Sequence, residues 1–222
     1  MKDSKIYLIF FILFYFSCKE NNAKYNANSQ LNQKPIPVME TGKESSLAKV
    51  WIDSETGHRI EKLVDRGRDN RSFYFHNNPF LPTKDNKGWL MVFYGSVNKG
   101  QQLFSFNLRT KEIAQITNKE GNKRGEIVGD KTRKVYYRIN DSIFATHIDT
   151  HKTAFIYKFP EDMVGSIATL NADETLLGGV LSSKEEQEIF KKNPEKRNFF
   201  DKIYEAKLKR TLVTIDVSNG DL

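Results

Sequence analysis

The chain has 222 residues, of which 38% are hydrophobic and 12% are aromatic. This is enough apolar surface for a folded core, which excludes a wholly disordered chain. The formal net charge is +7, but the basic residues are dispersed among 28 acidic ones. No phosphate-binding loop, zinc-finger spacing or RNA-binding motif accompanies them, so we expect no nucleic-acid partner. Two interpretations of the charge are left, a solvated basic surface and an acidic carbohydrate partner.

The N-terminus has the pattern of an export signal. Lys2 and Lys5 precede an apolar run of 11 residues, from Ile6 to Phe16. Such a run suits the hydrophobic region of a signal peptide and is too short to cross a bilayer as a helix. Ser17 and then Cys18, the single cysteine, follow the run. Residues 1–18 therefore predict a lipoprotein-type signal peptide with lipid attached at Cys18; an ordinary secretory signal is the alternative.

Either signal predicts an exported protein. Under the lipoprotein interpretation we expect it in the periplasm or on the outer membrane of a bacterium, where it meets a membrane only through a lipid anchor. Residues 19–48 are rich in Asn, Gln, Ser and Lys and show no apolar period. We expect them to form a flexible polar tether. With one cysteine there is no internal disulfide, so the folded part depends on its core.

From residue 49 onward the sequence repeats. Four segments consist of an apolar strand, a turn with Asp or Asn and Thr or Ser, and a second apolar strand, which is the pattern of a hairpin. The turn residues are Asp53, Asn107, Asp149 and Asp216, at spacings of 54, 42 and 67 residues. Two further strands precede each of the last three hairpins: 72–80 with 89–94, 125–128 with 134–139, and 166–170 with 176–181.

A unit of four antiparallel strands is one blade of a β-propeller, and a spacing of 42 residues matches the length of a blade. The larger spacing of 67 indicates an insertion over residues 183–209, where Ser183, Glu185 and Glu186 mark a helix start and Asn193-Pro194 marks a break. We expect two short helices between the second and third strands of a blade.

The sequence thus predicts an all-β fold. Residues 49–222 would form an incomplete propeller of about three to four blades, with three complete units and one opening strand pair. A four-bladed or assembled propeller is the alternative, since a propeller must close its ring.

Several runs of residues in this order resemble the oligogalacturonate lyases, as does the position of the helical insertion. The runs are 51–60, 72–80, 90–95, 159–162 and 170–175. The resemblance implies a seven-bladed propeller that cleaves short galacturonate oligomers from pectin by β-elimination. It also implies manganese bound by histidines and a glutamine, and a histidine as the base. This chain would be the N-terminal part of such a protein.

The family's base lies in a Cys-His-Glu-Gly run, which this sequence lacks, and there is no His-x-His pair. We therefore assign no catalytic and no metal-binding residue, and we expect the chain to be inactive alone. The four histidines, His58, His76, His147 and His151, are interpreted as turn or surface residues rather than as metal ligands. The runner-up function is a non-catalytic exported propeller, a binding or scaffold protein similar to periplasmic translocation proteins.

Candidate substrate contacts lie in and beside the loops that lead into first strands, because these surround one mouth of a propeller channel. A guanidinium there would match the carboxylate of an acidic oligosaccharide. Solvated loop cations or polar groups of the core are the plainer interpretation. Arg71, His76 and Arg124 rank first, followed by Lys123, Arg68 and Asn78.

Overall fold

The computed structural model describes residues 35–42 and 46–222. The predicted signal peptide, Cys18 and most of the predicted tether lie outside these residues. The chain divides into two compact units, the first ending at Ile60 and the second spanning Glu61–Leu222. No helix in the described part of the chain is long and apolar enough to cross a membrane.

The first unit is a small sheet of β1 (Val38–Met39), β2 (Val50–Asp53) and β3 (Arg59–Glu61), in that order. β1 runs parallel to β2, so regular structure begins inside the segment predicted as a tether. Trp51 is 4% exposed, and its indole N–H donates to the Thr41 hydroxyl at 2.9 Å. Hydrogen bonds from Thr41 and Thr56 hold the pKa of Asp53 well below its usual range.

The second unit begins with a five-stranded antiparallel sheet. Its strands are β4 (Asn70–Arg71), β5 (Phe80–Pro82), β6 (Trp89–Val97), β7 (Gly100–Asn107) and β8 (Ile113–Gln115), ordered β4-β6-β7-β8 with β5 also paired to β6. Trp89, at the start of β6, is 53% exposed.

The single strand predicted over residues 72–80 is wrong, since two short strands flank an irregular stretch there. The backbone turns where the Asn77 N–H donates to the Tyr74 carbonyl. Pro79 follows and has no N–H to donate to a sheet.

Two further antiparallel sheets follow. The second contains β9 (Arg124–Gly129), β10 (Lys134–Ile139), β11 (Ser142–His147) and β12 (Thr153–Lys158) in sequential order. The third contains β13 (Met163–Leu170), β14 (Leu176–Ser183) and β15 (Arg210–Asp216). It has three strands rather than the predicted four, and the bond from the Asp216 N–H to the Asp221 carbonyl closes the turn that follows β15.

The predicted helical insertion is confirmed. Helices α1 (Lys184–Lys192) and α2 (Lys196–Ala206) lie between β14 and β15. A bidentate ion pair fixes the start of α1 to β15, since the Arg210 Nε donates to Glu186 Oε2 at 2.9 Å and its Nη2 donates to Oε1 at 2.5 Å.

The structure corrects one predicted turn residue of the repeat, Asp149, by two positions. In each hairpin, the backbone N–H of one residue donates across the turn, and the carbonyl of the same residue accepts from the N–H four positions later. In chain order these residues are Asp53, Asn107, His147 and Asp216. His147, not Asp149, thus occupies the third position. Its Nδ1 accepts from the Asp149 N–H at 3.2 Å, as Asn107 Oδ1 accepts from the Arg109 N–H at 2.9 Å. A ring nitrogen therefore replaces the carboxyl or amide oxygen.

Consecutive sheets of the second unit pack face to face around buried side chains. Between the first two sheets lie Leu81, Leu103, Val135 and Tyr137, each fully buried. A second cluster, which includes Tyr136, Ile143, Leu177 and Ile215, joins the next two sheets. Each such side chain contributes ~1.5–3 kcal/mol when buried. The all-β fold of stacked blades is therefore confirmed.

The innermost edges of the blades meet side by side. β9 contacts β13, and the Asn77 side-chain amide donates to the Glu126 carbonyl of β9 at 3.1 Å. Gly125 adopts a φ of +64°, and a Cβ there would lie 3.3 Å from Ile167 of β13. Side chains at the ends of these strands therefore approach one another although they are far apart in sequence.

Candidate functional site

One cavity of the second unit has a volume of about 810 Å³ and opens where β4, the β6–β7 hairpin and the start of β9 meet. Its walls bring together residues that are more than fifty positions apart. They include Arg71, Tyr94, Gln101, Lys123, Arg124 and Glu126.

Arg71 is placed by the pairing of β4 with β6, in which it lies opposite Tyr94. Its Nη2 donates to Gln101 Oε1 at 3.1 Å, and its Cζ lies 5.3 Å from the centroid of the Tyr94 ring. Both contacts orient the guanidinium without neutralising it. Within the described part of the chain, no carboxylate lies within 4.0 Å of it. Arg71 is thus an oriented cation with hydrogen-bonding capacity to spare.

Arg124 is the first residue of β9 and reaches the same cavity from the second sheet. The left-handed backbone of Gly125 next to it lets β9 start close against β13. Arg124 is exposed, and among the described residues it too has no carboxylate within 4.0 Å. Two guanidinium groups from different sheets therefore face one space.

A buried acid lies in the wall between them. Glu126 is 7% exposed and Tyr94 is 3% exposed, and the Tyr94 hydroxyl donates to a Glu126 carboxylate oxygen. Burial, then the hydrogen bond and charge of Glu126, raise the pKa of Tyr94 far above its usual range, while Arg71 and Arg124 act in the opposite direction. The phenol therefore stays protonated and cannot serve as a base near neutral pH. The hydroxyl gives the buried carboxylate a partner within the wall.

Lys123 lines the cavity, but its ammonium is turned inward. The residue is fully buried, and Nζ donates to the carbonyls of Lys119 and Gly121, the latter at 2.8 Å. Burial, with a smaller effect of Lys119, lowers the pKa of Lys123 to about 8. The side chain organises the loop before β9, and its charge is not presented to a solute in this conformation.

The other predicted substrate contacts lie elsewhere. His76 and Asn78 line a second cavity of about 380 Å³, where the exposed His76 ring packs edge-on against Tyr74 at 4.8 Å between centroids. Arg68 donates to Asn98 Oδ1 at 3.1 Å beside a shallow depression. The structure therefore brings Arg71, Lys123 and Arg124 together and does not bring the remaining three candidates to them.

Tyr94 and Glu126 were not found from the sequence. The signal that could have identified Glu126 is an acidic residue inside a short apolar strand, next to the predicted Arg124. Tyr94 carried no such signal, because aromatic residues are common in buried strands.

The arrangement can bind anions, and bidentate pairing with carboxylates is what guanidinium groups do best. It does not fit a divalent metal. Among residues 35–42 and 46–222, no three His, Cys, Asp or Glu side chains are grouped so that they could hold an ion.

Comparison with known proteins gives a fold and no sequence family. No protein-family profile matches the chain, and no curated protein matches it by sequence. An oligogalacturonate lyase from Vibrio parahaemolyticus matches its structure with a TM-score of 0.66 and 21% identity, over 78% of this chain and 44% of that one. An oligogalacturonate lyase in complex with manganese matches with a TM-score of 0.65 and 20% identity, over 78% and 44%.

TolB from Acinetobacter baumannii is more distant, with a TM-score of 0.44 and 11% identity over 78% of this chain and 35% of that one. The resemblance to oligogalacturonate lyases is thus confirmed at the level of the fold. The chain spans less than half the length of the solved lyases that it matches.

Proposed function

We propose that this chain is part of an oligogalacturonate lyase and that Arg71 and Arg124 bind a carboxylate of the galacturonate oligomer. One observation carries the proposal. Two guanidinium groups, delivered by separate sheets, face a single cavity without a carboxylate partner among the described residues. The fold shared with two solved lyases supports the substrate class.

The proposed reaction gives such cations a role beyond binding. In β-elimination a base removes the proton at C5 of a uronate, the electron pair of that C–H bond forms the C4–C5 double bond, and the bond from C4 to the leaving oxygen breaks. Negative charge at C5 spreads onto the adjacent carboxylate as the proton leaves. A guanidinium held on that carboxylate stabilises this charge without reorganising, because its orientation is already fixed.

The residues around the arginines orient Arg71 and keep both guanidinium groups available to the substrate. Gln101 and the Tyr94 ring hold the Arg71 guanidinium in place. The Tyr94 hydroxyl occupies the Glu126 carboxylate, which would otherwise compete with substrate for the two cations. One of the solved lyases binds manganese. The residues described in this chain do not fit such an ion, and none of them is proposed as a metal ligand or as the base.

The test is binding of trigalacturonate to the purified chain, measured by isothermal titration calorimetry. A lost hydrogen bond between charged groups costs ~1.5–3 kcal/mol, so Arg71→Ala and Arg124→Ala should each raise Kd roughly ten- to a hundredfold. Lysine at either position should restore only part of the affinity, because an ammonium lacks the planar fork. The fully methyl-esterified trimer should bind far more weakly than the acid.

Arg68→Ala is the matched control, since Arg68 is an exposed arginine outside the cavity, and its affinity should equal that of the wild type. The proposal fails if the wild type binds acid and ester equally. It also fails if both cavity variants keep wild-type affinity while their thermal unfolding is unchanged.

A further inference from the structure

A smaller cavity of about 300 Å³ adjoins the proposed carboxylate site, because Arg124 lines both. Its other walls come from β10, from β13 and from the first turn of α1. Arg138, Asp141 and Lys184 supply the charged groups. Apart from Arg124, the residues of this smaller cavity have no role in the proposed function.

Two of its cations are cross-strand neighbours. Arg124 of β9 lies directly opposite Arg138 of β10 in the ladder. Like charges in this position repel each other and destabilise the pairing of the strands. Arg138 donates to the Gly165 carbonyl, but in the part of the chain that the structure describes no carboxylate lies within 4.0 Å of either guanidinium. An anion placed between them would relieve the repulsion.

Burial adds to this imbalance. Arg138 is half-buried, and desolvation together with the charge of Arg124 lowers its pKa. A cation in this setting gains more from an anionic partner than one in bulk water, since the effective dielectric constant is lower.

The helical insertion provides a third cation. Lys184 is the first residue of α1, and the Glu186–Arg210 ion pair fixes that end of the helix to β15. The cavity also contains the carboxylate of Asp141, which already accepts from the Ser142 hydroxyl at 2.8 Å and lies 3.7 Å from the Lys158 ammonium. Three cations thus face one acid that has partners of its own.

We propose that Arg138 and Lys184 form a second carboxylate subsite, which binds the sugar next to the one held at Arg71 and Arg124. This inference rests on the proposed function and extends it to chain length. Because Arg124 borders both cavities, consecutive carboxylates of one oligomer can be held on either side of it. The smaller cavity then raises the affinity for oligomers above that for single galacturonate units, and the helical insertion contributes to that selectivity.

The experiment compares Kd for galacturonate and for trigalacturonate in the wild type and in two variants, by isothermal titration calorimetry. The ratio of the two Kd values measures the gain from added sugars. We expect Arg138→Gln to reduce this ratio about tenfold, as for a partly buried charged contact. Lys184→Gln, at an exposed helix position, should reduce it a few-fold. Lys192→Gln, at the other end of α1 and outside the cavity, should leave it unchanged.

The outcomes separate the two proposals. If the wild type binds neither ligand, the proposed function and this inference both fail. If it binds the trimer and is weakened by Arg71→Ala, but shows the same ratio in Lys184→Gln and in Arg138→Gln, only the second subsite is refuted. Lys184→Gln keeps the test decisive even where Arg138→Gln disturbs folding through its bond to Gly165.

Discussion

Replacing Glu174 with glutamine would test how neighbouring blades are held together. Glu174 lies in the turn between β13 and β14 and is 6% exposed. Its carboxylate reaches the β9–β10 turn of the preceding sheet, where Oε1 accepts from the Lys131 N–H at 2.9 Å and Oε2 accepts from the Thr132 N–H at 2.7 Å. Gly129 makes room for it, since a Cβ there would lie 2.6 Å from Oε2.

Glu174→Gln keeps the shape of the side chain but turns one acceptor into an N–H₂ group that faces a backbone donor. Hydrogen bonds to a charged group contribute ~1.5–3 kcal/mol, and a buried donor without a partner adds a penalty. We expect the free energy of unfolding to fall by about 2–3 kcal/mol, or roughly 5–10 °C in Tm. Urea denaturation followed by circular dichroism at pH 7 measures this. Asp173→Asn, at the exposed neighbouring position, should change stability by less than about 0.5 kcal/mol.

The pH dependence gives a second signature. Burial opposes ionisation of Glu174, but hydrogen bonds from Thr132 and from the Lys131 amide outweigh it and lower the pKa of the carboxyl below its ordinary value. The folded state therefore binds fewer protons, and the stabilisation is complete above the unfolded pKa of glutamate and lost as pH falls through the folded pKa. The difference between wild type and Glu174→Gln should close on acidification. A difference that stays constant with pH, or is absent at pH 7, would refute the argument.

Two further predictions concern the loop before β9 and the N-terminus. Because burial lowers the pKa of Lys123 to about 8 from an ordinary 10.5, the unfolded state binds more protons between these values. Stability should therefore rise with pH across that window, by at most ~1.4 kcal/mol per pH unit. Lys123→Gln should lack this rise. If urea denaturation at pH 8 and pH 10 gives the same change in the free energy of unfolding for the wild type and for Lys123→Gln, the prediction is contradicted. We also propose that the protein is an exported lipoprotein, so Cys18→Ser should move it from the membrane pellet to the soluble fraction; unchanged pelleting would count against the anchor.

Regular blade structure could be predicted from the sequence because it depends on local chemistry. Alternating apolar residues and turns rich in Asp, Asn and Thr recur with each hairpin, and the helical insertion shows its own start and break signals. One error arises where one residue type replaces another with the same function. His147 accepts a turn hydrogen bond through Nδ1, and no count of Asp and Asn residues could reveal that.

The site was predictable only in part, because its assembly depends on contacts between strands distant in sequence. Arg71 and Arg124 could be selected by charge and by their position before innermost strands. That Arg138 faces Arg124 depends on the register of β9 against β10, which includes an irregularity between Tyr136 and Arg138. Lys123 looked as available as Arg124, and only the course of the loop shows that its ammonium is enclosed.

The two tryptophans fall one to each unit, which gives the protein a pair of intrinsic fluorophores with opposite surroundings. Trp51 is enclosed in the small sheet at 4% exposure, while Trp89 stands half in solvent on the stacked sheets. An enclosed indole emits at shorter wavelength than a hydrated one, so unfolding of the small sheet shifts its emission to the red while Trp89 changes less. In a Trp89→Phe background, emission follows the first unit alone and circular dichroism follows mainly the second. One denaturant titration then shows whether the two units melt together.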